Sequence, residues 1–400
     1  MAEQSDWTID DAERVYGVKR WGAGYFEIGS NGNLKITPDL SNKNMRIDFQ
    51  SVIEEIKQEG IQFPVVVRFH DILRSQVACL NQTFINTIEE AQYQGKYMGV
   101  YPVKVNQMRE VVEEIVDAGA PFNYGLEAGS KAELITVMAY NTNIDSLTIL
   151  NGYKDAEFMR LALLGRKLGR KMIVVIEKYS ELGLLVDAAK QLNVMPIIGF
   201  RSKMTVKGRG KWESSGGDRA KFGLTTSEMI CAARYLESQG MGECLKLLHF
   251  HIGSQLTDIR AVKEAISEGG RIYAEMHRMG FKLEYVDVGG GLGIDYDGSQ
   301  STNDSSRNYT MEEYVADVVY GMREVCDLEG VPHPTLVSES GRAITAHHSC
   351  VVAQVVGEIR ANSAELPTDP LPNDHVLLNN MRELAQSVDS QDNLQEIFND

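Results

Sequence analysis

Lys104 ends the apolar run Tyr97-Met98-Gly99-Val100-Tyr101-Pro102-Val103. A lysine carried into the interior at a strand end loses hydration, which lowers its pKa towards the neutral amine, a nucleophile able to form a Schiff base. Alone, the commoner reading is a strand-end lysine whose head reaches water. Three further motifs change that weighing. In His249-Phe250-His251-Ile252-Gly253-Ser254-Gln255, Gly253 permits close backbone approach, Ser254 can donate to a phosphate, and the His251 ring can stack on a flat heterocycle. The alternative is a buried structural histidine before a turn. The His-x-His pair also suggests a metal, but no third ligand stands at suitable spacing, so zinc is disfavoured and the metal site stays unassigned.

The run Asp287-Val288-Gly289-Gly290-Gly291-Leu292-Gly293-Ile294-Asp295-Tyr296 leaves an apolar strand through glycines. Gly289, Gly290 and Gly291 can expose successive N–H groups as a nest for an anion, or simply make a turn. As a dinucleotide fingerprint the run fails, because its glycine spacing is wrong and it leads into a loop. In Ser338-Glu339-Ser340-Gly341-Arg342, Glu339 can pair with a protonated ring nitrogen while Arg342 forks onto phosphate oxygens. Otherwise the two form a structural salt bridge. An amine nucleophile, a ring stacker, a phosphate nest, a pyridinium partner and an arginine jointly describe the needs of pyridoxal 5'-phosphate.

The elements that must position these groups alternate β-branched runs with amphipathic stretches, the pattern of parallel strands joined by crossover helices. Strands are expected at Met98 to Val105, Phe122 to Glu127, Ser146 to Leu150, Lys171 to Glu177, Pro196 to Arg201, Leu247 to Ile252, Tyr285 to Val288 and Thr335 to Glu339. Seven helical patterns lie between them, from Arg109 to Asp117 through to Met311 to Leu328. The fold class is therefore α/β, a (β/α)8 TIM-type barrel, with a partial β-domain from the N-terminal segment and the start of the C-terminal part. A doubly wound open sheet is the alternative, disfavoured by the lack of a fingerprint loop after the first strand. Barrel chemistry gathers at the C-terminal strand ends, here Lys104, Glu127, Asn151, Glu177, Arg201, His251, Gly289 and Glu339. The expected organisation is residues 1–45 joining the β-domain with short strands, 46–345 the barrel, 346–375 a β-strand and linker, and 376–400 the start of a helical insertion.

Composition sets the class of protein. The 400 residues are 43% hydrophobic and 24% charged, enough for a large core. A net charge of −16 argues against a nucleic-acid surface. The five cysteines lack any Cys-x-x-Cys pair and read as reduced thiols, while no apolar run suits a signal peptide or a bilayer span. A cytoplasmic protein is expected.

The ordered series Tyr101-Pro102-Val103-Lys104-Val105-Asn106, His249 to Gln255, Asp287 to Gly293 and Glu339-Ser340-Gly341-Arg342 resembles the alanine-racemase-like fold of pyridoxal phosphate enzymes. Within it the match is to the ornithine, diaminopimelate and biosynthetic arginine decarboxylases. The segments Trp7 to Asp11, Tyr16 to Val18, Trp21 to Phe26 and Asp287 to Ser299 narrow it to the biosynthetic arginine type. The resemblance implies a carboxy-lyase that converts L-arginine to agmatine for putrescine and spermidine synthesis. It implies Lys104 as the Schiff-base lysine, His251 as the ring stacker and Glu339 as the acid at the pyridine nitrogen. Ser254, Gly289, Gly290, Gly291 and Arg342 would hold the cofactor, with Glu127 and Arg201 beside it and Glu133 near. Val286, Asp287, Gly291, Leu292, Gly293, Asp295 and Tyr296 would contact substrate.

Lys221-Phe222-Gly223 resembles a further family motif, and the basic stretch Lys203 to Arg219 before it reads as a loop over the site or a solvated surface loop. A head-to-tail dimer or larger homo-oligomer is implied, with magnesium associated but without a dedicated carboxylate cage. Relatives carry a Cys-Asp pair in a C-terminal β-domain, presented to the partner subunit; Cys326-Asp327 lies instead within a helix pattern and reads as structural. The stop at Asp400 suggests a fragment. Another basic amino acid decarboxylase, a racemase of this fold and a non-catalytic cofactor-binding homologue are the alternatives.

Overall fold

The computed structural model describes residues 7–206, 220–359 and 371–388. The chain divides into two compact units, His70–Ile294 with Gln300–His348, and Met1–Phe69 with Asp295–Ser299 and Ser349–Asp400. Within the former, eight parallel strands close a barrel: β1 Tyr97–Pro102, β2 Gly125–Ala128, β3 Leu147–Leu150, β4 Lys171–Ile176, β5 Ile197–Arg201, β6 Leu245–His249, β7 Tyr285–Asp287 and β8 Thr335–Ser338. Each strand pairs with the next in sequence, and β8 closes on β1 with Leu336 opposite Tyr97 and Ser338 opposite Gly99.

Seven helices connect the strands, and their starts are written in the sequence. Thr225 with Glu228 and Thr310 with Glu313 form capping boxes, while Ser130 and Asp155 each accept a backbone N–H of the first turn. An eighth helix, His70–Glu90, precedes β1 and packs between the helices Arg109–Gly119 and Met311–Glu329, completing the ring from the front of the barrel. Sequence reading missed it. Its buried face carries Gln76 and Asn81 among Ile72, Leu73, Val77, Leu80 and Phe84, which breaks the apolar period.

Alternation along the strands sorts the core into two layers. Val100, Leu147, Ile149, Ile173, Val175, Leu247 and Val337 fill the barrel interior, with Met98, Ile197 and Tyr285 packed against them. Residues of opposite parity, such as Leu126, Leu150, Val174, Ile198, Leu248, Val286 and Leu336, face the helices.

The other unit contains an antiparallel sheet of Phe26–Ile28, Leu34–Ile36 and Ile47–Asp48, and a pair formed by Val65–Arg68 and Ser349–Val352. Its N-terminal part differs from the expected short strands. Ile9–Tyr16 is a helix, started by a Thr8–Asp11 capping box. The β-strand expected within 346–375 is Ser349–Val352. Of the linker prolines, Pro367 and Pro370 lie outside the described residues, as do most of the basic stretch before Ala220 and the chain after Val388.

Gly125 shows how tightly the closed sheet fits. A Cβ there would sit 1.9 Å from the Leu147 carbonyl oxygen on β3. Gly125→Ala should therefore lower stability by about 1–3 kcal/mol or more, read as an earlier midpoint in urea unfolding.

Candidate active site

Above the apolar interior layer, strands β2 to β8 each place a polar residue at an inward position. Glu127 on β2, Asn151 just past β3, Glu177 just past β4, Arg201 ending β5, His249 ending β6, Asp287 ending β7 and Glu339 just past β8 form a ring at the C-terminal end of the barrel. All but Arg201 are buried. Two members differ from the expected strand ends. On β6 and β7 the inward positions are His249 and Asp287, which share parity with Leu247 and Tyr285, whereas His251 and Gly289 lie two residues further, in the loops.

The ring is wired by short contacts. Asn151 Nδ2 donates to Glu339 Oε1 at 2.6 Å and to Glu127 Oε1 at 3.1 Å. Arg201 Nη1 donates to Glu177 Oε1 at 2.7 Å. Behind Glu177, its backbone N–H donates to Glu181 Oε2, and Glu181 pairs at 3.4 Å with buried Lys154. His249 Nε2 lies 3.8 Å from Glu339 Oε1, and neither imidazole nitrogen has a hydrogen-bond partner. Burial, with Arg201 and His251 nearby, holds His249 neutral, far below the usual imidazole range. Its third neighbour is Asp287, so the metal-ligand spacing absent from the sequence exists in space: donor atoms of His249, Asp287 and Glu339 lie within 4.8 Å of one another.

Lys104 occupies a single 3-10 turn, Val103–Val105, after β1. Its amine is 3.6 Å from Glu127 Oε2. The expectation of a buried, neutralised lysine is corrected here. The turn lifts the side chain off the strand end, leaving it 58% exposed. Desolvation pulls its pKa down, but Glu127 and Glu339 outweigh that and raise it. The proton deficit falls on the acid instead. Burial pushes the Glu127 carboxyl up to about 7 against the opposing pull of Lys104.

The loops after β6, β7 and β8 converge. His251 Nδ1 accepts the Gly290 N–H at 3.2 Å, and burial with Arg201 and Lys104 lowers its pKa to about 3, so the ring is uncharged. A Cβ on Gly290 would meet the Glu339 carbonyl at 2.7 Å, and one on Gly291, already at φ +102°, would meet the Gly253 carbonyl at 2.6 Å. The two glycine turns thus abut, and Arg342 Nη2 donates to Ser254 Oγ at 3.3 Å beside them. This is a donor-rich concavity that side chains would fill.

Other expected residues fall elsewhere. Val286 and Leu292 pack in the layer between strands and helices, facing away from the ring. Gly293 donates its N–H to the Tyr309 hydroxyl at 3.1 Å. Asp295 and Tyr296 belong to the other unit. Glu133 accepts the Gly129 N–H at 2.7 Å and tethers the loop after β2. Phe222 sits with its ring 5.2 Å from Tyr153 and 5.3 Å from the Arg201 guanidinium, beside the ring. Cys326 is buried in its helix, as expected of a structural thiol.

The arrangement fits pyridoxal phosphate on its own terms. Glu127 Oε2 and Asp287 Oδ2 are buried carboxylate oxygens without hydrogen-bond partners, Glu339 offers an anchored carboxylate, and the glycine cradle with Ser254 and Arg342 offers donors for a phosphate. The profile of the "Pyridoxal-dependent decarboxylase, pyridoxal binding domain" matches residues 80–346. The chain belongs to the pyridoxal-dependent decarboxylase family.

The chain is 47% identical over 378 residues to a biosynthetic arginine decarboxylase of Rhodopirellula baltica, covering 93% of this chain and 56% of that protein. It is 46% identical over 395 residues to the one from Gloeobacter violaceus, covering 99% and 61%. The crystal structure of the biosynthetic arginine decarboxylase from Campylobacter jejuni superposes with a TM-score of 0.77 at 31% identity, covering 93% of this chain and 60% of that one. The chain thus spans about three-fifths of the length of these relatives.

Folding raises the Glu127 carboxyl from 4.5 to about 7. The folded chain therefore binds more protons than the unfolded one between those values, and stability falls as pH rises through that window. Glu127→Gln should abolish the fall. In urea titrations across pH, the cofactor-free variant should exceed the parent by up to about 3 kcal/mol above neutrality, with the difference vanishing in acid.

Proposed function

We propose that this chain carries the cofactor-binding, lysine-bearing part of a pyridoxal-phosphate-dependent carboxy-lyase that converts L-arginine to agmatine and CO2. The observation that carries the reading is Lys104 beside Glu127, with Asn151 linking Glu127 to Glu339. That gives one nucleophilic amine, one acid of near-neutral pKa and one anchored carboxylate in a single ring. Arginine as substrate is supported by the likeness to the named arginine decarboxylases over more than nine-tenths of the chain.

When bound, pyridoxal phosphate supplies an electron sink for the pair released as the Cα–carboxylate bond breaks. The residues do the rest. Glu127 Oε2, 3.6 Å from the Lys104 amine, pairs with the ammonium and holds it at the ring, and Lys104 must give up its proton before the amine can act as nucleophile. Glu339, fixed by Asn151, would accept the N–H of a protonated ring nitrogen. The uncharged face of His251 would lie against the heterocycle, and Ser254, Gly290, Gly291 and Arg342 would hold the phosphate. Arg201, braced by Glu177, would flank the ring.

A homo-oligomer, a head-to-tail dimer or larger, is part of the proposal, as is a cytoplasmic location; among the described residues no helix is long and apolar enough to cross a membrane. Magnesium enters only through the family resemblance. Among the described residues, the one cluster with ligand spacing is His249, Asp287 and Glu339, whose imidazole and complete burial suit a hard, water-retaining cation poorly.

The deciding measurement is an absorption spectrum of the chain with pyridoxal phosphate, parent against Lys104→Ala, followed by amine detection after adding L-arginine, L-ornithine or L-lysine. The expected result is a Lys104-dependent band and agmatine from arginine alone, with turnover reduced by about 10²–10⁴-fold or more in the variant. Product from ornithine or lysine would reassign the substrate. A band without product would reduce the chain to cofactor binding, and no band would sink the cofactor assignment.

A further inference from the structure

The polar ring holds four buried carboxylic groups, Glu127, Glu177, Asp287 and Glu339. Two cations face them, and both are committed: Arg201 to Glu177 at 2.7 Å and Lys104 to Glu127 at 3.6 Å. Glu339 receives the Asn151 amide at 2.6 Å. Asp287 is placed differently. Its Oδ1 accepts the Gly289 N–H at 2.8 Å, while Oδ2, fully buried, receives no hydrogen bond. Donor atoms of Asp287, Glu339 and His249 lie within 4.8 Å of one another.

Two adjacent carboxylates in a dry site cannot both stay ionised, and the proton goes to the one with a buried oxygen that no donor reaches, Asp287 Oδ2. We propose that Asp287 is held as the neutral acid and, through Oδ2–H, donates to the Glu339 carboxylate, positioning it and keeping it the charged acceptor at the ring nitrogen. This rests on the reading of Glu339 as the ring-nitrogen partner. The surroundings agree from every side. Burial and the charges of Glu339 and Glu127 push the Asp287 carboxyl well above the usual range. His249 on β6 is neutral, and the nearby hydroxyls, Tyr97 on β1 and Tyr314 on the helix Met311–Glu329, are themselves raised by burial and uncharged. Asp287 is a positioning residue, acting through Glu339.

The test compares Asp287→Asn with Asp287→Leu in the whole chain, reading cofactor affinity and band position across neutral pH, together with infrared absorption of the protonated-carboxyl C=O stretch. Asparagine keeps a permanent donor of the same shape, and leucine fills similar volume without one. The expected result is affinity within about threefold of the parent and an unmoved pH dependence for Asn, but a loss of about tenfold or more for Leu, with part of the parent's protonated-carboxyl signal missing from the Asn variant. Asn as damaging as Leu, or infrared spectra of parent and Asn variant that coincide at neutral pH, would overturn the proposal. If the parent gives no Lys104-dependent band, the cofactor reading fails, and the infrared comparison still decides where the proton resides.

Discussion

Inside the barrel, apolar side chains give out one layer short of the C-terminal strand ends, and the acids that take their place outnumber the cations facing them. Four carboxylic groups and one guanidinium share a space from which most water is excluded, and one exposed amine reaches them from its edge. That imbalance orders the rest of the site. It raises Glu127 and Asp287, keeps Lys104 charged despite desolvation, and makes the Asn151 amide valuable as a donor to two acids at once. A positively charged heterocycle would relieve it. The site is therefore electrostatically prepared for a pyridinium before one arrives.

The support for this ring is equally local. Strand parity sets the direction of the ring members, and for five of them an interior apolar side chain stands two positions earlier: Ile149 before Asn151, Val175 before Glu177, Leu247 before His249, Tyr285 before Asp287 and Val337 before Glu339. The glycine turns and Arg342 lie outside this rule, in loops. They are held by contacts between loops, as the close approach of Gly291 to the Gly253 carbonyl illustrates.

This division explains what could be read from the residues alone. The eight strands and Glu127, Arg201 and Glu339 were legible because β-branched runs end where a charged residue of inward parity stands. His249 and Asp287 are less legible as inward strand ends, because the motif residues His251 and Gly289 carry the stronger sequence signal, although alternation from Leu247 and Tyr285 points to the earlier positions. The place of Lys104 after the first barrel strand is legible, but its exposure is not, since no residue type announces the 3-10 turn that lifts it. Charge balance across seven strands is a long-range property, and no window of sequence contains it. The helix His70–Glu90 was hidden by its own buried amides.

That helix has a consequence for the order in which the barrel is assembled. In the usual cycle of strand then helix, the last helix closes the ring, and the fold waits for the end of its sequence. Here the closing helix is made first, and it clasps the seam from both sides, beside the helix Arg109–Gly119 and the helix Met311–Glu329. Seven barrel strands and all eight helices of the ring precede β8 in the chain. The last barrel strand in the sequence thus has all its barrel neighbours made before it, and with it comes Glu339, the final carboxylate of the ring.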